Sequence, residues 1–341
     1  MTASSDHPML SQSSMGLFFS SQREKAHFPP KDTNLSGQTA IVSGANAGLG
    51  FQCARMLLEL KLSRVIIASR SLQRGETAAE ALRKEYPSAS VDVWDLDMAS
   101  YQSIQAFATR CATLSRIDFV ILNAGISKQN FDLAATGHEE AFQVNYLSTV
   151  LLAILLLPTL KEKAPDGRPG RLTVVSSGRS MHAKFPESKA SPIIPAFDDK
   201  NAFDGAERYN TTKFLLHLWI YNLVDYVSPD DVVVNLVDPG FCKGTNLERD
   251  FHGAVKAFLL GMKSMVGRPI DAGASTYIDA AVIKGKETHG SFIMDWTICP
   301  YGQFFYGPES KRISEKLWEE TIAELSFAGV QQVLDKMKAK A

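Results

Sequence analysis

The residues best suited to chemistry in this sequence are a tyrosine and a lysine four positions apart, Tyr209 and Lys213. Of the nine tyrosines in the chain, only Tyr209 is followed by lysine at that spacing. A spacing of four places both side chains on one face of a helix. A phenol has a pKa of about 10, which is too high for rapid proton exchange at neutral pH, and a nearby ammonium lowers it. The pair therefore predicts a tyrosine acid/base whose pKa Lys213 lowers.

Three further polar residues could take part in this chemistry. Ser176 and Ser177 end a predicted strand, and either hydroxyl could hydrogen-bond a substrate oxygen and stabilise charge on it. Asn145 is a polar residue within the predicted helix 137–162. Each residue has a structural alternative: a packed aromatic for Tyr209, a strand-end turn for the serines and a buried amide for Asn145.

A glycine-rich loop, SGANAGLG at residues 43–50, follows a short apolar run. A helix that begins at such a loop offers unpaired N–H groups and partial positive charge, which suit a pyrophosphate. Glycine also lets a ligand approach the backbone closely. The loop residues predicted to contact a dinucleotide are Gly44, Asn46, Gly48, Leu49 and Gly50. A tight strand–helix turn is the alternative interpretation.

The next predicted strand ends at Ser69-Arg70, and Arg74 follows one helical turn later. Folds that select NAD place an acidic residue at this strand end, where it binds the ribose hydroxyls. A guanidinium at that position can pair with a 2′-phosphate instead. The sequence therefore predicts NADP(H), held by Ser69 and Arg70, although Arg70 could also be a solvated surface charge.

The elements that must position these residues alternate between strand and helix. Strands are predicted at 39–43, 64–68, 90–94, 118–122, 172–176, 232–237 and 291–294. Helices are predicted at 48–61, 71–86, 100–114, 137–162, 206–227 and 271–284. Such alternation indicates a parallel sheet covered on both faces. We predict an α/β fold with a doubly wound, Rossmann-type sheet of about seven strands.

Taken in order, these motifs resemble the short-chain dehydrogenase/reductase family. The matching segments are the glycine loop, with Ser43 where threonine is usual, Asp97-Met98, Asn123-Ala124-Gly125, Asn145, Ser176-Ser177, Tyr209-x-x-x-Lys213 and Pro239-Gly240. The resemblance spans about residues 35–325. Within the family, the chain is most similar to the retinol-dehydrogenase-like and WW-domain-oxidoreductase-like branch, and to its fungal natural-product members.

The resemblance implies a role for each matching residue. It implies that Asn145, Ser177, Tyr209 and Lys213 are catalytic, and it favours Ser177 over Ser176. It also implies that Tyr209 and Lys213 contact the cofactor, with Lys213 holding the nicotinamide ribose, and that Asn145 holds a water beside Lys213 that connects Tyr209 to solvent. The remaining cofactor contacts that it implies are Asp97, Asn123, Pro239 and Gly240.

The chain departs from the family pattern in two places. Residues 178–205, between Ser177 and Tyr209, form a longer connection than is common and are predicted to border the substrate entrance. Gly244 stands where the family often has threonine, and Thr245 comes one position later. A threonine contact with the nicotinamide amide is therefore left open.

Apolar residues recur at helical spacing over 251–266. The favoured interpretation is a lid over an apolar substrate. A membrane-surface helix and ordinary core packing are the alternatives. The helix after Tyr209 is apolar nearly all round, so it is buried either in its own domain or against a second subunit, and His217 within it is interpreted as structural.

Composition and charge narrow the class of protein. The 341 residues carry a net charge of −1, which gives no sign of a nucleic-acid partner. The four cysteines lack C-x-x-C spacing and are interpreted as free thiols, and no metal site is predicted. The N-terminus lacks the features of a signal peptide, and no stable membrane span is expected. We predict a cytoplasmic protein.

Three regions make up the predicted organisation. Residues 1–35 form an N-terminal extension, either a disordered leader or a strap that packs its phenylalanines on the domain. Residues 36–330 form one Rossmann-type domain with substrate-lid insertions at 178–205 and 241–270, and residues 331–341 form a C-terminal tail.

The favoured function is an NADPH-dependent interconversion of a ketone and a secondary alcohol on a hydrophobic small molecule, with Tyr209 as the acid/base. A secondary metabolite is the expected substrate and a homodimer a possible state. Two alternatives stay open: a non-redox step such as dehydration, cyclisation or isomerisation, and a non-catalytic cofactor-binding protein.

Overall fold

One mixed sheet organises the protein. The computed structural model describes residues 3–11, 13–165 and 167–338. Within these residues the sheet has eight strands in the order β3-β2-β1-β4-β5-β6-β7-β8. The strands are β1 Thr39–Ser43, β2 Arg64–Ser69, β3 Ser90–Asp95, β4 Phe119–Leu122, β5 Gly170–Val175, β6 Val232–Val237, β7 Phe292–Met294 and β8 Thr297–Cys299. The first seven run parallel and β8 pairs antiparallel with β7.

The helices connect these strands and cover the sheet. They are α1 Ala3–Asp6, α2 Ser14–Arg23, α3 Gly48–Glu59, α4 Leu72–Glu85, α5 Tyr101–Cys111, α6 Glu140–Phe142, α7 Ser148–Lys163, α8 Gly205–Leu223, α9 Gly253–Val266, α10 Ile270–Ile278, α11 Ser310–Glu324 and α12 Val330–Met337. A π-helical turn, Gln143–Leu147, joins α6 to α7, and a second one, Asp279–Ile283, extends α10.

Alternating residues of the strands pack into two separate hydrophobic cores, one on each face of the sheet. Ile41 belongs to the core under α5, α7 and α8, while its neighbours Ala40 and Val42 belong to the core under α3, α4 and α10. Successive side chains of a strand point to opposite faces of a sheet, so two cores require helices on both faces. The doubly wound, Rossmann-type α/β fold is therefore confirmed.

The strand count exceeds the expected seven by one. β8 has only three residues, and it returns from β7 through Asp295 and Trp296. A run this short carries too little alternation to be recognised from sequence.

The segment through α6 and α7 is the one stretch of described helix long and apolar enough to cross a membrane, at Glu140–Lys163. Most of its apolar window is buried inside the protein. We therefore interpret this segment as the central helix of the larger hydrophobic core.

The N-terminal extension packs against the domain. Leu17 and Ser21 of α2 are buried, and the Phe18 ring lies 5.8 Å from the ring of Phe241. Ser4 accepts a hydrogen bond from the Phe292 N–H at 2.8 Å, beside β8. These contacts agree with a strap and not with a disordered leader.

Two segments are more deeply packed than the sequence suggested. The connection at 178–205 contains four short 3₁₀ turns, and its apolar side chains Phe185, Ile193 and Phe197 are completely buried. Helix α12 covers most of the predicted C-terminal tail and buries Val330 and Leu334. Its apolar residues recur every three to four positions, which is the pattern of a helix docked on a core.

Helix α8 is buried within its own chain. Leu215, Leu216 and Trp219 are at most 1% exposed without any second subunit. Of the two explanations for its apolar character, burial in its own domain is sufficient.

Candidate active site

The carboxyl ends of β1, β4, β5 and β6 bring the predicted site residues to one edge of the sheet. The strand order reverses between β1 and β4, which opens a crevice there. The glycine loop follows β1, Asn123 follows β4, Ser177 follows β5 and Pro239 follows β6. Ligands of doubly wound sheets bind in such a crevice.

Tyr209 lies in the second turn of α8 and Lys213 in the third. The Asp204 carboxylate caps this helix by accepting hydrogen bonds from the N–H groups of Ala206 and Glu207 at 2.9 and 3.1 Å. Lys213 is buried, and its Nζ donates to the Val175 carbonyl at the end of β5 at 2.8 Å. Burial lowers the pKa of Lys213 to about 8.

The pKa of Tyr209 is set by several groups and is raised overall, and a lowering by Lys213 stays a prediction. Burial raises the pKa of Tyr209 to about 12. A side-chain hydrogen bond with Ser177 and the charge of Arg179 act in the opposite direction, while Asp238 raises the value further. Desolvation of a phenolate outweighs these favourable contacts.

The two serines at the end of β5 point to different sides. Ser176 is buried, and its Oγ donates to the Lys213 carbonyl at 3.0 Å and lies 3.3 Å from His217 Nε2. Ser177 is half-buried, its hydroxyl is near enough to Tyr209 to lower the pKa of the phenol, and its Oγ accepts from the Arg179 N–H at 3.2 Å. The geometry therefore makes Ser177 the serine beside the phenol.

His217 is a buried structural residue. Its Nδ1 accepts from the Gly302 N–H at 3.2 Å, so the Nε2–H faces the Ser180 hydroxyl at 3.0 Å. Burial lowers the pKa of His217 to about 3, which keeps the ring neutral.

Asn145 lies in the π-helical turn and joins three parts of the site. Its Oδ1 accepts from the Ile126 N–H and its Nδ2 donates to the Ile126 carbonyl, both at 2.9 Å. The same Nδ2 donates to Thr212 Oγ1 at 3.1 Å. A Cβ added to Gly125 would lie 3.2 Å from both Asn145 Oδ1 and Lys213 Nζ. The backbone after β4 thus passes between Asn145 and Lys213.

The glycine loop fits a pyrophosphate. Gly48 begins α3 with φ of +59°, and Ala47 before it makes no side-chain capping hydrogen bond. Five other helices, α2, α4, α5, α6 and α8, are capped by the side chains of Ser13, Ser71, Ser100, Glu139 and Asp204. Within the described part of the chain, the first N–H groups of α3 have no side-chain partner, which suits an anionic group.

Close packing fixes the loop against the segment after β4. A Cβ on Gly50 would lie 2.6 Å from Asn123 Nδ2 and 2.7 Å from the Gly44 carbonyl. Asn123 Nδ2 donates to the Ser43 carbonyl at 2.9 Å, and the Ser43 hydroxyl accepts from the Ala124 N–H at 3.0 Å. The contact with the Ala124 N–H needs only a hydroxyl group, so serine can make it at position 43, where the family usually has threonine.

Asn46 and Leu49 lie half-buried in the same loop. A Cβ on Gly273 would lie 2.8 Å from Leu49 Cδ2, so α10 packs closely behind the start of α3.

The predicted adenine end has two exposed arginines. Ser69 is buried at the end of β2 and exchanges hydrogen bonds with the Ser71 backbone at 3.2 and 3.3 Å. Among residues 3–11, 13–165 and 167–338, neither the Arg70 nor the Arg74 guanidinium has a hydrogen bond or ion pair. Asp97 Oδ1 accepts from the Ala99 N–H at 3.0 Å, which orders the loop after β3.

Sequence reasoning missed three residues at this edge. Tyr277 is buried and its hydroxyl donates to Asn123 Oδ1 at 3.0 Å, which orients the amide that holds the glycine loop. Asp238 is buried and its Oδ1 accepts from the Gly178 N–H at 2.8 Å. Arg268 is buried and its Nη1 donates to the Pro239 carbonyl at 3.1 Å.

A sequence signal existed for each. Tyr277 is the one bulky aromatic in a helix of small residues, Asp238 directly precedes the Pro239-Gly240 motif, and Arg268 is a charge set between two apolar helices.

Comparisons with known proteins agree with this geometry. A sequence profile described as short chain dehydrogenase matches residues 38–189. The short chain dehydrogenase/reductase mfmJ of Annulohypoxylon moriforme is 53% identical over 324 residues, which are 94% of each chain. The short chain dehydrogenase virL of Hypocrea virens is 41% identical over 310 residues, 91% of each chain.

A solved structure shows the same fold at low identity. The L-sorbose reductase of Gluconobacter frateurii, crystallised with NADPH and L-sorbose, is 18% identical with a TM-score of 0.59 and covers 77% of this chain and 97% of its own. With relatives above 40% identity matching along nearly the whole chain, the protein belongs to the short-chain dehydrogenase/reductase family.

Proposed function

We propose that the protein is an NADPH-dependent oxidoreductase that interconverts a ketone and a secondary alcohol on a hydrophobic small molecule. The observation that supports this proposal is the position of two polar groups at the carboxyl end of β5. Ser177 follows the strand near the Tyr209 phenol, and Lys213, one helical turn after Tyr209 on α8, donates to the Val175 carbonyl beside the crevice. These are the groups that proton transfer to a substrate oxygen requires.

Proton transfer is assigned to Tyr209. In the reductive direction its hydroxyl gives a proton to the carbonyl oxygen while the carbonyl carbon accepts hydride, and solvent then restores the phenol. Ser177 hydrogen-bonds the same oxygen and stabilises the charge that develops on it. When bound, the cofactor supplies the hydride. The reverse direction uses the same groups, with Tyr209 accepting the proton.

Lys213 and Asn145 hold the surrounding structure. Lys213 Nζ is 2.8 Å from the Val175 carbonyl and has donors left for a ribose hydroxyl. The side-chain amide of Asn145 is hydrogen-bonded to Ile126 and Thr212. We therefore assign Asn145 to keeping Gly125 beside Lys213, and a water held between Asn145 and Lys213 stays a prediction.

The preference for NADPH rests on the end of β2. No carboxylate stands there, and the exposed guanidinium of Arg70 is available to a 2′-phosphate. The residues that would hold the remainder of the cofactor are Gly44, Asn46, Gly48, Leu49, Gly50, Ser69, Asp97, Asn123, Tyr209, Lys213, Pro239 and Gly240.

Helix α9 supports an apolar substrate. Phe258 is 64% and Met265 is 77% exposed, and Lys263 is its one buried residue, so ordinary core packing does not explain the helix. Lys263 Nζ donates to Thr245 Oγ1 at 2.7 Å, which ties the helix to the loop after β6. We propose that α9 covers an apolar ligand, such as a secondary metabolite, in a cytoplasmic enzyme. A homodimer stays a prediction.

Titration of the purified protein with NADPH and NADH, followed by the reduced cofactor's fluorescence, tests the cofactor assignment. Arg70→Ala is expected to weaken NADPH binding about tenfold or more while leaving NADH unchanged, because it removes a charged contact to the 2′-phosphate. Arg312→Ala, at an exposed arginine on α11, is the matched control. Equal wild-type affinity for NADPH and NADH would contradict the role of Arg70.

A further inference from the structure

The loop after β6, residues 238–245, borders both ends of the crevice. At one end Asp238 Oδ1 accepts a hydrogen bond from the Gly178 N–H at 2.8 Å, next to Ser177. At the other end, a Cβ on Gly48 would lie 3.8 Å from Thr245 Cα. A shift of this loop would therefore alter the site from the phenol to the glycine loop.

Arg268 holds the middle of this loop with both side chain and backbone. Its Nη1 donates to the Pro239 carbonyl at 3.1 Å, and a Cβ on Gly240 would lie 2.8 Å from the same nitrogen. The Arg268 N–H donates to the Phe241 carbonyl at 2.7 Å, and the Lys243 N–H donates to the Arg268 carbonyl at 2.8 Å. The loop is thus paired to Arg268 along a strand-like bridge.

The guanidinium is buried and pairs with one carboxylate. Arg268 is 3% exposed, and its Nη2 donates to Asp295 Oδ1 at 2.6 Å. Its Cζ lies 4.9 Å from the centre of the Trp296 ring, so the cation also stacks on an aromatic face. A buried charge is costly unless its partners are fixed in place.

The partners of Arg268 occupy an unfavourable backbone conformation. Asp295 and Trp296 connect β7 to β8 with φ of +51° and +58°, a region that favours glycine. Such strain persists where surrounding contacts hold it and is concentrated at functional sites. Here it aims a carboxylate and an indole at the same guanidinium.

The N-terminal extension supplies the remaining support. The Ser21 carbonyl accepts from Arg268 Nη2 at 2.7 Å, and the Ser21 hydroxyl donates to Asp295 Oδ1 at 2.8 Å. Phe18 packs on Phe241 in the loop itself. Helix α2 therefore contacts the loop, the cation and the carboxylate together.

We propose that Arg268 is a positioning residue that fixes loop 238–245 against the nicotinamide half of the cofactor, and that Ser21 of the N-terminal extension completes its support. This inference rests on the proposed function, since it takes the loop as part of the cofactor site. It assigns the extension to the cofactor site and not to the surface alone.

The test compares a whole cofactor with its adenine half. Arg268→Lys keeps the charge but cannot reach the Pro239 carbonyl, Ser21 carbonyl and Asp295 together. Calorimetric titration is expected to show NADPH binding weakened about tenfold, on the scale of one charged hydrogen bond, with 2′,5′-ADP binding unchanged. Arg312→Lys, in an exposed ion pair, is the control and should change neither.

Two further variants keep the test decisive. Asp295→Asn removes the charge while retaining a residue that tolerates the left-handed region, and it is expected to give the same selective loss should Arg268→Lys fail to fold. Ser21→Ala is expected to weaken NADPH about threefold, since it removes one neutral hydrogen bond.

Each outcome decides between the claims. Unchanged NADPH affinity in Arg268→Lys and Asp295→Asn overturns the inference, and so does equal weakening of NADPH and 2′,5′-ADP, which would mark a general loss of fold. Unchanged NADPH affinity in Ser21→Ala would show that the N-terminal extension does not support Arg268. A wild-type protein that binds neither ligand overturns the proposed function itself, whatever Arg268 does.

Discussion

At the residue scale, burial governs the protonation of the two residues assigned to proton transfer. Lys213 is buried and Tyr209 is half-buried, and desolvation disfavours the charged form of each. It therefore raises the pKa of Tyr209 to about 12 and lowers the pKa of Lys213 to about 8. The phenol keeps its proton at neutral pH, which is the form that a reduction needs at its start.

Lys213 should make stability depend on pH. Its pKa is lowered by burial from 10.5 to about 8, so the unfolded chain binds the proton more tightly and folding stability rises with pH between these values. Relative to Lys213→Met, the wild type should carry a penalty of about 3 kcal/mol at pH 7.5 that shrinks by about 2 kcal/mol at pH 9.5.

Urea unfolding of both proteins at the two pH values measures this penalty. The difference between the proteins is the relevant quantity, since the buried thiols of Cys53 and Cys242 titrate in both. A difference that stays constant with pH would show that the pKa of Lys213 is not lowered by burial.

The sequence predicted the types of site residue better than their environment. Spacing alone singled out Tyr209 and Lys213, and the Ser177 side chain does lie beside the phenol. What spacing could not show is the desolvation of both groups, because burial depends on segments far along the chain. Tyr277 and Arg268 were missed for the same reason: each acts through contacts more than 25 residues away.

At the element scale, the start of α3 is the feature that most favours a cofactor. Ala47 supplies no capping oxygen, although serine or aspartate caps stabilise helices by about 1 kcal/mol. A helix that omits this contribution leaves its N–H groups available to a phosphate.

Capping α3 should therefore trade cofactor affinity for stability. Ala47→Asp is expected to stabilise the cofactor-free protein by about 1 kcal/mol and to weaken NADPH binding at least tenfold, since its carboxylate competes with the pyrophosphate. Ala47→Ser separates capping from charge. Thermal unfolding and NADPH titration give the two quantities.

Removal of an existing cap is the matched control for Ala47→Asp. Ser100→Ala removes the cap of α5 and should lower stability by about 1 kcal/mol without changing NADPH affinity. Should Ala47→Asp bind NADPH as tightly as the wild type, the phosphate does not lie at α3.

The elements themselves were predictable where they are long and periodic. The first six strands and the helices between them were expected within a few residues of their observed bounds. The three-residue β8 and the 3₁₀ turns of 178–205 were not expected, because no repeating pattern marks such short elements. Helix α12 was assigned to a tail, although Val330, Leu334 and Met337 have helical spacing.

At the scale of the whole molecule, both termini contribute to the packed structure. The extension reaches Arg268 through Ser21, and α12 packs on α7 in the larger core. The sequence could indicate one large domain from its length and alternation, but not that its ends dock, since docking depends on complementary surfaces distant in the chain.

The contribution of α12 can be measured at one residue. Leu334 is completely buried, and Leu334→Ala should lower the free energy of unfolding by about 2–5 kcal/mol. Gln331→Ala, at an exposed position of the same helix, should change it by less than about 0.5 kcal/mol. Equal effects in urea unfolding would show that α12 is not docked.

The central claim is that Tyr209 transfers the proton in an NADPH-linked carbonyl reduction. The most direct measurement follows NADPH oxidation and product formation with a panel of apolar ketones, comparing the wild type with Tyr209→Phe and with Tyr221→Phe, a control on the same helix. We predict one alcohol formed per NADPH oxidised and a loss of at least about 100-fold in kcat for Tyr209→Phe. NADPH binding by Tyr209→Phe should weaken by no more than about tenfold, since only one neutral hydrogen bond is lost, and Tyr221→Phe should lose neither. Turnover by Tyr209→Phe at the wild-type rate, or product formed without NADPH oxidation, would contradict the account.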